Sequence, residues 1–478
     1  MKFEPVIGLE VHVHLKTKSK AFCGCSTEFG NKPNSQVCPI CLGFPGSLPV
    51  LNQVAFEYAI KVGLALNCQI QEFTKFDRKH YYYPDLPKNF QISQYDLPIS
   101  KNGFVDIDVE GKTKRMRIRR VHLEEDAGKL IHAKDTSLVD FNRTGIPLLE
   151  IVSEPDINSP EEAHEYLTSL KSTIEYLEVS DCDMEKGSLR CDANISLKVT
   201  GAQELGIKTE LKNMNSFKSV KDALTFEIER QTEILEQGES IIQETRLWDE
   251  KKGQTFSLRS KEEAQDYRYF PEPDLPPFII TAPKIEEIRK SIPELPRQKM
   301  SRFIKNYRLS EYDAKILTYS KKDALYAEEC IEVYANKDKK PIVNWLIGPL
   351  LSEANNRKLR AVSDLKVPAK ELAELVGFVE RQEISNLSAK LVLAEMIDTG
   401  NSVANIIKEK NLIQISDTAS LEKHVEEVIK ENTKSVSDYK QGKANVLMFL
   451  VGQVMKRSQG RANPKMVQQI LKRRLDNA

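Results

Sequence analysis

Hydrophobic and polar residues alternate with a period of two in the first part of the chain. Segments 10–15 and 190–195 are two clear examples, in which every second residue is apolar. Such alternation predicts β-strands with one buried face. Segments 160–177 and 219–236 instead carry apolar residues at three- and four-residue spacing, which predicts helices. The region up to about residue 270 is therefore predicted to be α+β.

A proline-rich segment interrupts this pattern. Residues 271–296 contain seven prolines, too many for a continuous core element. Beyond them the apolar spacing is helical, and a softer boundary lies near Asn411, after which two or three short helices are expected. We therefore predict three domains: an α+β domain over 1–290, a helical domain over 291–410 and a small helical tail over 411–478. The clearest helical patterns of the second region lie in 311–333, 342–355 and 387–397.

Composition narrows the class of protein. The chain lacks an unbroken apolar run near 20 residues, so we expect no membrane partner. The first residues, MKFEPVIGLE, have neither a signal-peptide nor a transit-peptide pattern, which predicts a cytoplasmic protein with reduced thiols. Basic and acidic residues balance at 70 each, but residues 443–478 carry eight Lys and Arg against one Asp. This basic end is either a solvated surface or a local RNA contact.

Four of the eight cysteines are close in sequence. Cys23 and Cys25 form one pair, Cys38 and Cys41 a second, and twelve residues separate the pairs. This spacing suits one tetrahedral zinc ion, which would be structural because four protein ligands leave no open position. Reduced, buried or redox-active thiols are the alternatives. The other cysteines are isolated, as expected of core residues.

Several acidic residues lie within predicted strands. Alternation puts Glu10, His12 and His14 on one strand face, which is either a solvated face or part of a metal or catalytic site. Glu150 follows an apolar run, where a carboxylate costs stability unless it is paired or bound to a metal. Segments 122–129 and 190–194 add further acids. Oxygen-rich clusters of this kind suit Mg²⁺.

Cations and tyrosines are concentrated in segment 77–88, which contains Arg78, Lys79, Lys88 and three consecutive tyrosines. It is either a phosphate-binding loop or an ordered surface loop. The chain has neither a G-x-x-x-x-G-K-[ST] motif nor a strand-linked G-x-G-x-x-G motif. A bound nucleotide would therefore be held by cations and metal rather than by a glycine-rich loop.

Ten segments, in order, resemble the B-subunit family of the aspartyl/glutamyl-tRNA amidotransferases. They are GLEVHVHL, DRKHYYYPDLPKNFQISQ, HLEEDAGK, NRTGIPLLEIVSEPD, EKGSLRCDANISL, LKNMNSF, QETRLWDE, DYRYFPEPDLPP, FLVGQVMK and GRANP. The resemblance covers essentially the whole chain. His14 stands where Gln is expected, and Asn445 stands where a second basic residue is common. The change at Asn445 slightly weakens the expected phosphate contacts of the tail.

This resemblance implies a cradle-like α+β domain that holds ATP, a helical domain and a tail that grips tRNA. It also implies a heterotrimer, in which an amidase A subunit delivers ammonia and a small C subunit connects the two larger chains. The B subunit would phosphorylate the side-chain carboxylate of misacylated Glu-tRNA(Gln), Asp-tRNA(Asn) or both, making the complex an ATP-dependent carbon–nitrogen ligase with glutamine as nitrogen donor.

Roles for individual residues follow from the same resemblance. The predicted catalytic set is Glu10, His12, Lys79, Glu125, Glu150 and Asp192. Of these, Glu10, His12, Glu125 and Glu150 are expected to hold Mg²⁺, while Lys79, Lys88 and Asn194 contact the nucleotide or orient the substrate. The zinc ligands are expected within segment 20–45. The predicted tRNA contacts are Lys456, Arg457, Arg461 and Lys465.

Two other functions remain open from the residues alone. A zinc-stabilised, non-enzymatic tRNA-binding adaptor would need only the four cysteines and the basic tail, and it would consume no ATP. A self-contained glutaminase would use Cys182 or Cys191 with a histidine, and it would release ammonia without a partner chain.

Overall fold

The computed structural model describes residues 2–260, 266–414, 418–440, 443, 445–458 and 462–476. Contacts between Cα atoms divide the chain into two compact units, Met1–Leu295 and Pro296–Ala478. None of the helices in these described ranges is both long and apolar enough to cross a membrane.

The first unit is built around a nine-stranded sheet with the order β14-β13-β12-β11-β1-β10-β7-β6-β2. Its strands pair antiparallel except β12 and β13, which run parallel. The strands of the unit are β1 (Phe3–His14), β2 (Gln69–Ile70), β3 (Phe73–Thr74), β4 (Asp77–His80), β5 (Phe90–Ser93), β6 (Ser100–Val109), β7 (Lys112–Glu125), β8 (Lys129–His132), β9 (Ser137–Asp140), β10 (Pro147–Ser153), β11 (Leu189–Val199), β12 (Thr209–Lys212), β13 (Glu244–Asp249), β14 (Gln254–Ser260), β15 (Phe270–Pro271) and β16 (Phe278–Ile279).

Helices cover one face of this sheet. They are α1 (Gln53–Ala65), α2 (Pro160–Tyr176), α3 (Phe217–Glu236) and α4 (Ala282–Lys290). Ser159 and Ser216 cap α2 and α3 by accepting a hydrogen bond from a backbone N–H of the first turn, which fixes where each helix begins. The apolar side chains of the strands and helices form one buried cluster, with Val11, Leu123 and Leu149 fully enclosed. The other sheet face is left to polar residues.

The second unit is helical. Its helices are α5 (Pro296–Tyr307), α6 (Glu311–Thr318), α7 (Lys321–Val333), α8 (Lys340–Trp345), α9 (Leu351–Asn356), α10 (Ala369–Glu380), α11 (Asn386–Thr399), α12 (Val403–Glu409), α13 (Thr418–Glu431), α14 (Thr433–Lys440), α15 (Val446–Arg457) and α16 (Pro464–Asp476). Apolar side chains between Phe303 and Ile407 form one buried cluster, and apolar side chains of α13, α15 and α16 contribute to another.

The α+β class is confirmed, and so are the helices at 160–177 and 219–236. Segment 311–333 is two helices rather than one, because Ser320 ends the run and caps α7. Segment 342–355 contains Pro349, where a π-turn over Leu346–Leu350 separates α8 from α9. The proline-rich segment 271–296 still holds the strand β16 and the helix α4. The three-domain division remains a prediction.

Candidate functional site

The polar face of the sheet follows from strand alternation and register. His12 on β1 lies opposite Glu150 on β10 and Arg190 on β11. Glu150 in turn lies opposite His122 on β7. Since neighbouring residues in register share a face, these side chains form one row across four strands. Glu10, two residues before His12 on β1, lies on the same face in the adjacent row.

Glu124, which lies two residues after His122 on β7 and therefore on the same face, completes a metal-competent cluster with His12 and Glu150. The ligand atoms of His12, Glu124 and Glu150 all lie within 4.8 Å of one another. His122 lies beside them, with its Nε2 3.1 Å from Glu150 Oε2 and 3.6 Å from Glu124 Oε2. Ser93 Oγ donates a hydrogen bond of 3.1 Å to Glu124 Oε2. Two carboxylates and an imidazole therefore converge on one point from three strands.

The charges in this cluster depend on one another. Burial alone would lower the pKa of His122, but Glu150 and Glu124 outweigh burial and raise that pKa to about 9. Burial would raise the pKa of Glu150, but His122, followed by His12 and Lys79, holds it well below its usual range. The pKa of Glu124 is lowered in the same way, chiefly by His122 against the effect of burial. Both carboxylates are thus anionic at neutral pH.

Glu125, the predicted ligand at this position, faces the other side of the strand. Its carboxylate pairs with Lys88 and accepts a hydrogen bond of 3.0 Å from the backbone N–H of Ile92. Because successive residues of a strand point to opposite faces, Glu124 and Glu125 cannot both face the cluster. The geometry therefore favours Glu124 over Glu125 as the ligand.

The side chains of the cluster line a cavity of about 520 Å³. Lys79 of β4 lines it, with its Nζ 5.0 Å from the ring centroid of Tyr267. Burial would lower the pKa of Lys79, but Glu124 and neighbouring anions raise it, so the ammonium stays charged. Lys88, the second predicted phosphate cation, lies outside the cavity walls and pairs with Glu125. Cations that sequence reasoning missed line the cavity instead: Arg143, Arg190 and Lys212.

The other predicted site residues lie along one side of this cavity. Asn194 Nδ2 donates a hydrogen bond of 3.0 Å to Glu10 Oε1, and Asp192 forms an ion pair with Lys212. Burial, followed by the nearby carboxylates Glu150 and Glu210, raises the pKa of Glu10. These residues are adjacent to the three-ligand cluster without belonging to it. Pairing of β11 with β12 brings Glu210 and Lys212 into the site, a contact that only tertiary structure reveals.

Asp126 also lines the cavity and is held by three basic side chains. His14 Nε2 lies 2.6 Å from Asp126 Oδ2, and Arg190 Nη2 lies 3.0 Å from the same oxygen. Arg143 Nε is 3.5 Å away and also donates to the carbonyl oxygen of Ala127. Burial would raise the pKa of Asp126, but Arg190, His14 and Arg143 hold it well below its usual range. His14 thus supports the cavity wall.

The four clustered cysteines converge as their spacing predicts. The Sγ atoms of Cys23, Cys25, Cys38 and Cys41 lie within 4.8 Å of one another, a set of donors that fits tetrahedral zinc. The fully buried Lys20 extends its Nζ to 3.7 Å from Cys41 Sγ. The hydrogen bond from Cys23 lowers the pKa of Cys41 to about 5, aided by Lys20. This lowering favours the thiolate form of Cys41, the form that binds metal.

The isolated cysteines are core residues. Cys68, Cys182, Cys191 and Cys330 are all buried. Burial raises the pKa of Cys182 to about 12 and that of Cys191 as well. Protonated, enclosed thiols are poor nucleophiles, which argues against the self-contained glutaminase.

The predicted tRNA contacts of the tail differ in their surroundings. Lys456 and Lys465 are both exposed at the surface of the tail. Arg457 instead forms ion pairs with Glu427 and Glu431 of α13, at 2.8 and 2.9 Å. Arg461 lies outside the described residues. Part of the basic charge that the tail sequence suggested is thus neutralised by acidic residues of α13.

Comparison with known proteins adds an independent result. Residues 5–286 match the family described as the GatB/GatE catalytic domain, and residues 325–475 match the family described as the GatB domain. The chain is 56% identical to the B subunit of the aspartyl/glutamyl-tRNA(Asn/Gln) amidotransferase of Caldanaerobacter subterraneus subsp. tengcongensis, covering 99% of this chain and 100% of that one. Proteins of the same name from Carboxydothermus hydrogenoformans and Persephonella marina are 54% and 53% identical; each alignment covers 98% or more of this chain and 99% of the relative.

Proposed function

This chain belongs to the B-subunit family of the aspartyl/glutamyl-tRNA(Asn/Gln) amidotransferases, and we propose that its cavity is where the amino acid on a misacylated tRNA is activated by ATP. Glu-tRNA(Gln) and Asp-tRNA(Asn) are the substrates that we propose, in line with the names of the relatives. An amidase A subunit would supply the ammonia, and a small C subunit would complete the heterotrimer.

One observation carries this proposal. Two buried carboxylates and a histidine meet in a cavity whose walls also carry four cations, Lys79, Arg143, Arg190 and Lys212, beside further carboxylates. Burying so many charged groups costs stability unless they are compensated by opposite charges. A triphosphate with its metal ion would supply both, because the metal ion pairs with the carboxylates and the phosphates pair with the cations. This arrangement lies within residues 5–286, the part that matches a catalytic-domain family.

The donor set fits a divalent cation. Glu124 and Glu150 would supply carboxylate oxygens and His12 an imidazole nitrogen, directly or through water, with Glu10 and Asp192 near enough to assist through water. Mg²⁺ bound there would offset the negative charge of the phosphate oxygens. Lys79, Arg143 and Arg190 would hold the phosphates from the other walls. Lys88 and Glu125 would act one step away, as a pair that supports the strand.

The chemistry needs no general base at its first step. A side-chain carboxylate with a pKa of about 4 is already ionised at neutral pH. Its oxygen attacks the γ-phosphorus of ATP, the bond from that phosphorus to the β-bridging oxygen breaks, and ADP leaves. Ammonia then attacks the acyl carbon of the resulting acyl phosphate and loses a proton as inorganic phosphate departs. Lys79 would stabilise the phosphoryl group during its transfer.

The remaining parts of the chain have supporting roles in this proposal. Cys23, Cys25, Cys38 and Cys41 would bind one structural Zn²⁺ within residues 1–290. The tail, residues 411–478, would bind tRNA through Lys456, Arg461 and Lys465, and the helical domain would connect the two. Arg457 would hold α15 against α13 rather than contact RNA.

ATP hydrolysis by the assembled complex tests the proposal. We expect misacylated tRNA to stimulate hydrolysis and correctly charged tRNA to have little effect. Glu150→Gln should abolish the stimulation, whereas Glu110→Gln, at an exposed turn outside the cavity, should leave it unchanged. Comparing Glu-tRNA(Gln) with Asp-tRNA(Asn) identifies the substrate.

The same assay separates the enzyme from the tRNA-binding adaptor. An adaptor would bind tRNA without consuming ATP, so misacylated tRNA would stimulate no hydrolysis and Glu150→Gln would change nothing. That result would refute the activation site while leaving zinc and tRNA binding intact.

A further inference from the structure

The polar face of the large sheet becomes apolar at its β13–β14 end. Lys212, at the end of β12, pairs in register with Leu247 on β13, and Leu247 pairs with Phe256 on β14. In-register neighbours share a face, so Leu247 and Phe256 continue the surface that carries the charged cavity. The Phe256 side chain is 40% exposed. An aromatic platform thus lies two strands from a row of charged residues.

This platform belongs to the fold's surface rather than to its core. Trp248, the next residue on β13, is buried in the helix-covered cluster and contacts the ring of Phe226 on α3. Phe256 is absent from that cluster within the described part of the chain. The packing of the sheet therefore leaves Phe256 exposed on β14, where Lys252 Nζ lies 4.7 Å from its ring centroid.

A second cavity of about 540 Å³ opens above the platform. Leu247 and Phe256 form its apolar side, and Asn215, Asp249 and Lys251 contribute polar walls. The backbone N–H groups of Lys251 and Lys252 donate to Asp249 Oδ1 at 3.0 and 3.1 Å, which orders the turn between the strands.

The two cavities adjoin at Asn213, which lines both. Its Nδ2 donates a hydrogen bond of 2.9 Å to the carbonyl oxygen of Trp248, and its φ of 68° places it in the left-handed region. Asn tolerates this conformation better than most residues do. The shared wall is therefore held in place, and one ligand can extend from the charged cavity across Asn213 to the platform.

We infer that this second cavity is an adenosine subsite. The flat ring of Phe256 and the aliphatic side chain of Leu247 suit the face of a purine, because bases stack on aromatic side chains. The polar residues around this apolar surface can bind the edges of the base and the ribose. The amides of Asn213 and Asn215 offer donors and acceptors, and the Asp249 carboxylate accepts from hydroxyl or amino groups.

This inference rests on the proposed function, in which both substrates carry an adenosine. ATP has one next to its phosphates, and tRNA has one at its 3′ end, next to the esterified amino acid. Either adenosine would occupy the platform while its phosphate or aminoacyl group enters the charged cavity.

The test compares Phe256→Ala with Phe73→Ala in the assembled complex. Phe73 is a matched control, because its ring is 49% exposed on β3 and lies outside both cavities. The probes are Mg·ATP, magnesium tripolyphosphate, and an acceptor-stem RNA with or without its 3′-terminal adenosine. Dissociation constants are measured by calorimetry or competition, and Phe256→Tyr tests rescue.

If ATP supplies the adenosine, Phe256→Ala weakens Mg·ATP binding by about 10-fold or more while tripolyphosphate binding is unchanged. If tRNA supplies it, the same loss affects only the RNA that ends in adenosine. Phe256→Tyr should restore the affected probe, and Phe73→Ala should affect neither. Unchanged affinity for both adenosine-bearing probes overturns the subsite, as does an equal loss of tripolyphosphate binding. Wild-type complex that binds neither ATP nor tripolyphosphate refutes the proposed function instead, and the RNA probes still decide the subsite.

Discussion

The adjacent carboxylates Glu124 and Glu125 allow a test with variants one residue apart. Both side chains are buried, each 2% exposed as a whole residue, but they face opposite sides of β7. Glu124 belongs to the His12–Glu150 cluster, and Glu125 pairs with Lys88. Replacing each by glutamine keeps the volume and removes one charge, so the two variants should fail in different ways.

For Glu124→Gln we expect a loss of activity with little loss of stability. Mutating a residue that contacts a metal ligand, rather than the metal itself, commonly lowers metal affinity or activity by about 10- to 100-fold. Removing a direct ligand should therefore lower activity by about 100-fold or more. A 100-fold loss corresponds to about 2.7 kcal/mol of transition-state stabilisation. The hydrogen bond from Ser93 Oγ can still be accepted by the amide oxygen, which preserves the local packing.

For Glu125→Gln the expectation is reversed. The Lys88 ammonium would remain enclosed without its anion, and breaking one side of a buried ion pair costs about 3–5 kcal/mol. The backbone N–H of Ile92 keeps an acceptor, which favours the lower end of that range. For a unit of this size, Met1–Leu295, about 3 kcal/mol lowers the melting temperature by roughly 5 °C. At a temperature well below melting, amidation should remain within about threefold of wild type.

The measurements are tRNA-dependent amidation at low temperature and thermal melting of the same preparations. Loss of amidation in Glu125→Gln with near-normal activity in Glu124→Gln would refute the observed orientation of β7. Equal losses in both variants would show that the two carboxylates act as one unit.

Three further outcomes are expected. Freshly purified reduced protein should contain one zinc ion per chain by elemental analysis, and Cys41→Ser should increase hydrogen exchange in residues 20–45; a metal-free preparation contradicts the zinc site. Lys79→Met should abolish amidation of misacylated tRNA while glutamine hydrolysis by the partner amidase persists, and amidation at a near-normal rate would exclude Lys79 from phosphoryl transfer. Lys456→Gln combined with Lys465→Gln should weaken tRNA binding and reduce its log–log salt slope by about 1.5, whereas Arg457→Gln should leave the slope unchanged and loosen the α13 contact; an unaltered slope in the double variant would show a merely solvated surface.

Local patterns predicted much of this architecture. Alternation alone placed Glu10, His12 and His14 on one strand face, and the observed register bears this out. The spacing of the four cysteines was enough to anticipate that their sulfur atoms converge. Both signals are local, because the residues involved lie within nineteen positions of one another along the chain.

The parts that sequence could not decide depend on long-range pairing. The sequence does not distinguish Glu124 from Glu125. The register of β7 against β10 decides which of the two faces the His12–Glu150 cluster. Lys212 enters the site only because β12 pairs with β11. Arg457 looked like a phosphate contact until α13 supplied its acidic partners. In each case the deciding contact joins residues far apart along the chain.

The position of β1 has a consequence for how the chain is made. It precedes the other strands along this sequence, yet it lies at the centre of the sheet, where Phe3 pairs with Val199 and Glu10 with Val152. At about 5–20 residues per second, roughly 10–40 s pass between synthesis of β1 and of its last partner. β10 is complete by residue 153, but the edge of β1 that pairs with β11 stays unpaired until residue 199 is made, and an unpaired strand edge is prone to association with other chains. The newly made chain is therefore expected to depend on chaperones, and slowing translation before residue 199 should lower its soluble yield.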